Sequence, residues 1–111
     1  MTLQSKLEKI ENALTSIEGL AVYHYLRPQL KAPFCVWQED AENGSLEADL
    51  NKEEQAISGT VDLFTKLEYD PLNDAIQGAL NTIENCAWSL NSVQYEEDTE
   101  LIHYEWSFTV A

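Results

Sequence analysis

Residues 57–76 read ISGTVDLFTKLEYDPLNDAI, a strand-like run that leads directly into a capped helix. In its first half apolar and polar side chains alternate, which is typical of a strand with one buried face. Asp70 is a favourable N-cap, because its carboxylate accepts a hydrogen bond from a free amide in the first helical turn. Pro71 suits the first helical position, where its missing N–H costs nothing. The segment therefore predicts a strand followed at once by a helix.

The same two periodicities organise the rest of the chain. Apolar residues spaced three and four apart between Leu3 and Ile17 predict an amphipathic helix. The unbroken alternation from Ile102 to Val110 is the clearest strand signal. Gly59, in the middle of a predicted strand, suggests a bulge. Further strands are predicted at residues 21–26, 34–39, about 55–68 and 88–95, and a second helix from Asp70 to about Asn85.

These elements predict one α+β domain over residues 1–111. Its expected core is a mainly antiparallel sheet of four to five strands, with two helices packed on one face and the order α-β-β-β-α-β-β. More aromatic side chains fall on the strands than one buried layer accommodates. We therefore expect another subunit to cover one sheet face or edge. The aromatic residues in question are Trp37, Trp88, Trp106, Tyr23, Tyr25, Tyr95 and Tyr104.

The charge balance excludes several classes of partner. The chain has 20 acidic and 6 basic residues, a formal net charge of −14, so no basic footprint for a nucleic-acid backbone is visible. No apolar run approaches the roughly 20 residues that span a bilayer, and the N-terminus lacks the pattern of a signal peptide. We expect a soluble protein made in the cytoplasm, with no membrane partner and no sequence-specific nucleic-acid partner.

An acidic segment at about residues 40–54 interrupts the strand pattern. A long charged stretch around Asn43-Gly44-Ser45 is typical of an extended loop, and such loops are either functional or disordered. We expect it to be mobile in the free protein and to become ordered against a neighbour. The candidate interaction residues in this loop are Asp40, Glu42, Asn43, Glu47, Asp49, Glu53 and Glu54.

No constellation for catalysis is recognisable. His24 and His103 are the only histidines, and neither has a sequence neighbourhood typical of a metal or catalytic site. The carboxylates at residues 96–100 lack the spacing of a calcium loop and fit a solvated hairpin tip. Cys35 and Cys86 fit buried reduced thiols. We therefore expect no enzyme activity, no cofactor and no metal.

Several segments together resemble the tail terminator proteins, also called minor tail or tail-completion proteins, of long-tailed phages and prophages. Besides the N-terminal helix and the short strand after it, they are FCVWQE at 34–39 with the acidic loop that follows, GTVDLFTK at 59–66, DPL at 70–72, and the closing pair LNSVQYE at 90–96 and IHYEWSF at 102–108. None of these segments is a catalytic signature.

The resemblance implies a structural virion protein assembled in the bacterial host cytoplasm. Members of the family form a hexameric ring that stops growth of the tail tube and presents a joining surface to the head. The implied partners are further copies of the chain, the tail tube protein and the head–tail connector protein. Two alternatives stay open: another head–tail neck or minor capsid component, and an acidic cytoplasmic binding module that imitates the charge of DNA.

Overall fold

Five strands form a single sheet in the computed structural model, which describes residues 2–28, 31–43 and 55–111. The strand order is β1-β2-β3-β5-β4; β1 pairs with β2 in parallel and every other pair is antiparallel. The predicted fold class and element order are thus confirmed, with a mixed sheet. The elements are α1 (Leu3–Thr15), β1 (Ala21–His24), β2 (Phe34–Asn43), β3 (Ala56–Thr65), α2 (Leu72–Asn81), β4 (Cys86–Glu96) and β5 (Leu101–Val110).

Both helices lie on one face of the sheet, as predicted. Ile10 and Leu14 of α1 and Ile76 and Leu80 of α2 are fully buried in one cluster with the apolar side chains of the central strands. Trp106, also fully buried, belongs to the same cluster. Burial of apolar side chains contributes roughly 1.5–3 kcal/mol each. This layer therefore holds the helices on the sheet.

The helix ends differ in detail from the sequence expectation. Thr2 caps α1 through a reciprocal capping box with Ser5. Helix α2 ends at Asn81, four residues before the end predicted at Asn85. Its last turn is closed by hydrogen bonds between backbone groups three residues apart, which are typical of a 3₁₀ turn. Asn85 has a φ of +58° and marks the reversal into β4 instead. Asparagine is among the few non-glycine residues that adopt this conformation readily.

Gly59 lies at a bulge, as predicted, but the bulged strand is its neighbour β2. Its register with β5 is continuous. The register with β2 shifts at this point, because Gly59 pairs with Glu39 and Ser58 pairs with Ala41, so the extra residue is on β2. A Cβ on Gly59 would overlap the backbone oxygen of Gln38 and lie 2.5 Å from Phe108 Cζ. The glycine is needed because the Gln38 carbonyl oxygen and the Phe108 ring leave no room for a Cβ.

The predicted acidic loop begins later than expected. Strand β2 continues through Asp40 and Glu42 to Asn43, which pairs with Ala56 of β3. The bulge at Asp40 lets the strand continue past the first acidic residues. The loop boundary at residue 40 is therefore corrected to the end of β2. The remaining predicted loop residues, from 44 to 54, lie outside the described part of the chain.

Candidate assembly surfaces

Strand β4 forms one edge of the sheet and presents apolar side chains to solvent. It has eleven residues, and β5 is its only partner among the described strands. Leu90, Val93 and Tyr95, which we name the apolar edge, are 45%, 50% and 59% exposed. Their register opposite β5 places them on the helix side of the sheet, yet neither helix buries them. Long edge strands with exposed apolar side chains are normally covered by another chain.

A polar network lies on the sheet face opposite the helices. Nε2 of His103 is 2.6 Å from Asp62 Oδ1, and its Nδ1 is 3.5 Å from Glu96 Oε2. Arg27 donates to Glu96 at 3.0 Å and places its guanidinium 4.1 Å from the centre of the Phe64 ring. Arg27, which follows β1, is thus anchored to β3 through Phe64 and to β4 through Glu96.

The network shifts the titration of two groups. The hydrogen bond to Asp62 raises the pKa of His103; burial opposes the shift, and the negative charges of Asp62, Glu96 and Glu105 add to it. Burial acts to raise the pKa of Glu96, but hydrogen bonds from Thr99 and Arg27 outweigh it and lower that pKa. Both shifts favour the charged forms and therefore strengthen the ion pairs.

Part of this network has the residue types of a metal site. Ligand atoms of Asp62, His103 and Glu105 all lie within 4.8 Å of one another. Metals bind the neutral imidazole, whereas the raised pKa of His103 favours the imidazolium. A metal would have to displace that proton and the hydrogen bond to Asp62. The geometry therefore favours an ion-pair network at this position, and the expectation of no metal site stays a prediction.

The second histidine belongs to an aromatic stack at the opposite edge of the sheet. The His24 ring lies between Tyr25 and Trp37, with centroid distances of 3.7 and 3.9 Å. Glu39 Oε1 is 2.7 Å from His24 Nε2, and Glu39 also accepts from the Tyr25 hydroxyl. Trp37 donates to Glu11 of α1 at 2.6 Å. These contacts join β1, β2 and α1, so His24 has a structural role.

A basic cleft opens beside the polar network. It has a volume of about 530 Å³ and is lined by Arg27, Lys31 and Lys66, together with apolar side chains that include Phe34 and Leu101. We name it the basic cleft for these three cations. They are half of the six basic residues in the chain. On a protein with a net charge of −14, such a concentration creates a local site for negative charge.

The basic cleft is not visible in the sequence. Its cations come from the segments that follow β1, precede β2 and follow β3, and nothing in the sequence shows that these ends meet. Of the predicted loop residues, Asp40, Glu42 and Asn43 lie at the far end of β2. The structure therefore places them away from the cleft. Glu47, Asp49, Glu53 and Glu54 are outside the described residues.

Comparisons with known proteins give a match at the level of structure. No protein-family profile matches the chain, and no curated protein sequence does. The chain is similar to a solved chain described as "Virion of native gene transfer agent (GTA) particle", with a TM-score of 0.56 and 14% sequence identity. The alignment covers 96% of this chain and 91% of that chain. The two chains therefore share a fold over almost their full lengths.

No helix within residues 2–28, 31–43 and 55–111 is long and apolar enough to cross a membrane.

Proposed function

We propose that this chain is a structural component of a phage-type virion and, within it, a tail terminator. The observation that carries the proposal is the fold shared over almost the whole length of both chains with a component of a gene transfer agent virion. The sequence resemblance to tail terminators supplies the finer role. That role is a ring on the end of the tail tube that stops tube growth and offers a joining surface to the head connector.

The apolar edge supports a role in assembly. A ring of identical chains needs a heterologous contact, in which one surface of each copy meets a different surface of the next. Leu90, Val93 and Tyr95 offer exposed apolar area on the edge strand β4, which suits one half of such a contact. Aromatic side chains are favoured anchors in interfaces, and Tyr95 is the most exposed of the three.

The charge of the chain suits a conduit for DNA. Copies with a net charge of −14 around a channel would repel the phosphate backbone and let DNA pass without adhering. The same charge makes the copies repel one another, so local contacts must offset it. A different station in the head–tail neck is the second candidate, because the shared fold is described only as that of a virion component.

Deletion of the gene from the phage or prophage that carries it tests the proposal. Electron microscopy of the lysate should show overlong tails or heads without tails. Normal-length tails on full heads would contradict the terminator role. Native mass measurement of the protein, with and without tail tube protein, should show a closed oligomer in at least one condition. A chain that stays monomeric in both conditions would favour the acidic binding module instead.

A further inference from the structure

We propose that the basic cleft binds an acidic peptide segment of another virion protein, one that carries apolar side chains between its carboxylates. The inference rests on the proposed function, because it names the chemistry of a partner within the same particle. It concerns a surface separate from the apolar edge, which we have assigned to contacts between copies of this chain. Two lysines without partners and the exposed leucines beside the cleft carry it.

Two of the three cations in the basic cleft are available to a ligand. Arg27 is already paired with Glu96 at 3.0 Å and lies over the Phe64 ring. Lys31 and Lys66 are both exposed, and neither side chain forms an ion pair or a hydrogen bond within the described part of the chain. Two ammonium groups in one cleft repel each other, so a carboxylate that binds between them gains from both.

The fold holds the backbone around these two lysines before a ligand arrives. Lys66 directly follows β3, where the Thr65 hydroxyl accepts a hydrogen bond from the Leu67 amide at 3.1 Å. Lys31 lies three residues before Phe34, the first residue of β2. A site that is ordered in advance loses less conformational entropy on binding. The cleft therefore has the cations and the rigidity that a binding site needs.

Apolar surface lies beside the cations. Leu26 directly precedes Arg27 and is 77% exposed. Leu67 directly follows Lys66 and is 58% exposed. The cleft also includes Phe34, which is buried and gives it a firm apolar floor. Exposed apolar side chains next to polar ones mark surfaces for protein partners. A ligand that combines carboxylates with apolar side chains matches both features of this surface.

The charges around the cleft disfavour DNA as the ligand. Thr99 lines the cleft and belongs to the turn at residues 97–100, which carries three carboxylates. Glu68, two residues after Lys66, adds another. Duplex DNA carries one charge per about 1.7 Å of its axis. A duplex that reached Lys31 and Lys66 would therefore bring further phosphates against these carboxylates. A short acidic peptide pairs with the two lysines and ends before the acidic turn.

Binding of a synthetic peptide to the full-length protein tests the inference. The probe is a short labelled peptide in which glutamate and leucine alternate, and its binding is measured by fluorescence anisotropy. We expect Lys31→Glu and Lys66→Glu each to weaken binding about tenfold or more. Lys9→Glu is the matched control, because it makes the same charge change on α1 at a separate surface, where Lys9 contacts the carbonyl oxygen of Glu84 at 3.5 Å. It should leave binding unchanged.

Two further probes test the composition of the ligand. A peptide of the same length that contains glutamate alone should bind about tenfold more weakly, because it leaves the leucines beside the cleft in water. A short DNA duplex should not bind. Absence of binding by the glutamate–leucine peptide, an equal loss with Lys9→Glu, or preferential binding of the duplex would each overturn the inference.

Native mass measurement separates a different partner from a second copy of this chain. Lys66→Glu should form the same oligomer as the wild type under the same conditions. Loss of the oligomer in Lys66→Glu but not in Lys9→Glu would show that the cleft receives a neighbouring copy, and this would overturn the inference. Failure of peptide binding together with defective tails after gene deletion would leave the proposed function standing. Normal tails after gene deletion would instead contradict the proposed function, whatever the peptide does.

Discussion

The Thr65 hydroxyl donates a hydrogen bond to Asp70 Oδ2 at 2.5 Å, and both side chains are buried. The other carboxylate oxygen of Asp70 accepts from the Leu72 amide at 2.9 Å. Asp70 thus joins the last residue of β3 to the first turn of α2. Helix α2 begins one residue later than predicted, with Pro71 as its N-cap and Leu72 as its first residue. Asp70 therefore bridges strand and helix from the position before the N-cap.

Replacement of Asp70 by alanine should lower the free energy of unfolding by about 1–3 kcal/mol, the usual cost of leaving buried polar partners unpaired. Urea denaturation measures the change. Asp74→Ala is the matched control, because it removes the same charge from an exposed position in the first turn of α2. The control should change stability by no more than about 1 kcal/mol. Equal losses in the two variants would show that the bridge contributes nothing specific.

Gly59→Ala and Gly78→Ala should change stability in opposite directions. A methyl group at residue 59 meets the Gln38 carbonyl and the Phe108 ring, so we expect a loss of about 1–3 kcal/mol. Residue 78 lies on α2 with open space around its Cβ position. Alanine there should stabilise the helix by up to about 1 kcal/mol. Thermal unfolding of both variants measures the two changes in stability. A Gly59→Ala variant as stable as wild type would contradict the close packing of the Phe108 ring against Gly59.

His103 should make stability depend on pH above 6.5, the ordinary pKa of histidine. Its pKa is raised from the ordinary 6.5, chiefly by the hydrogen bond to Asp62. Folding therefore favours the protonated form of His103. Its contribution to the free energy of unfolding is complete below pH 6.5 and is lost as pH rises through the raised pKa. The side chain is partly exposed, and we expect less than about 1 kcal/mol.

Unfolding of wild type and His103→Gln across this pH range measures that contribution. The stability difference between the two proteins should be largest at the acidic end and shrink toward the alkaline end. Asp62→Asn should abolish most of the same pH dependence, since Asp62 supplies the main cause of the shift. A difference that stays constant with pH would contradict the ion-pair assignment.

Val93→Lys should impair assembly without destabilising the monomer. Val93 is half exposed on the edge strand β4, so it loses little burial, and a lysine on an edge strand opposes pairing with another chain. Gln94→Lys adds the same charge one residue later, on the opposite face of the sheet. Counts of tail lengths in lysates compare the two variants. Defects of equal size would mean that added charge, and not the apolar edge, is responsible.

Local patterns in the sequence determined the type of each element. The stripe between Leu3 and Ile17 and the alternation from Ile102 to Val110 became α1 and β5, because helix and strand periodicities follow from backbone geometry within a few residues. The element order and the helices on one face followed from these patterns. The boundaries of the elements were predicted less accurately, as the end of α2 and the continuation of β2 to Asn43 show.

Tertiary structure alone decided which distant residues meet. His103 and Asp62 are 41 positions apart, and Arg27 and Glu96 are 69 apart; strand order and register bring each pair together. The pairing of β1 with β2 and of β2 with β3 places Arg27 and Lys31 in one cleft with Lys66. Periodicity reports only which face of an element is buried. The partner of that face depends on how all the elements bury their apolar surfaces together, and this is settled only in the folded chain.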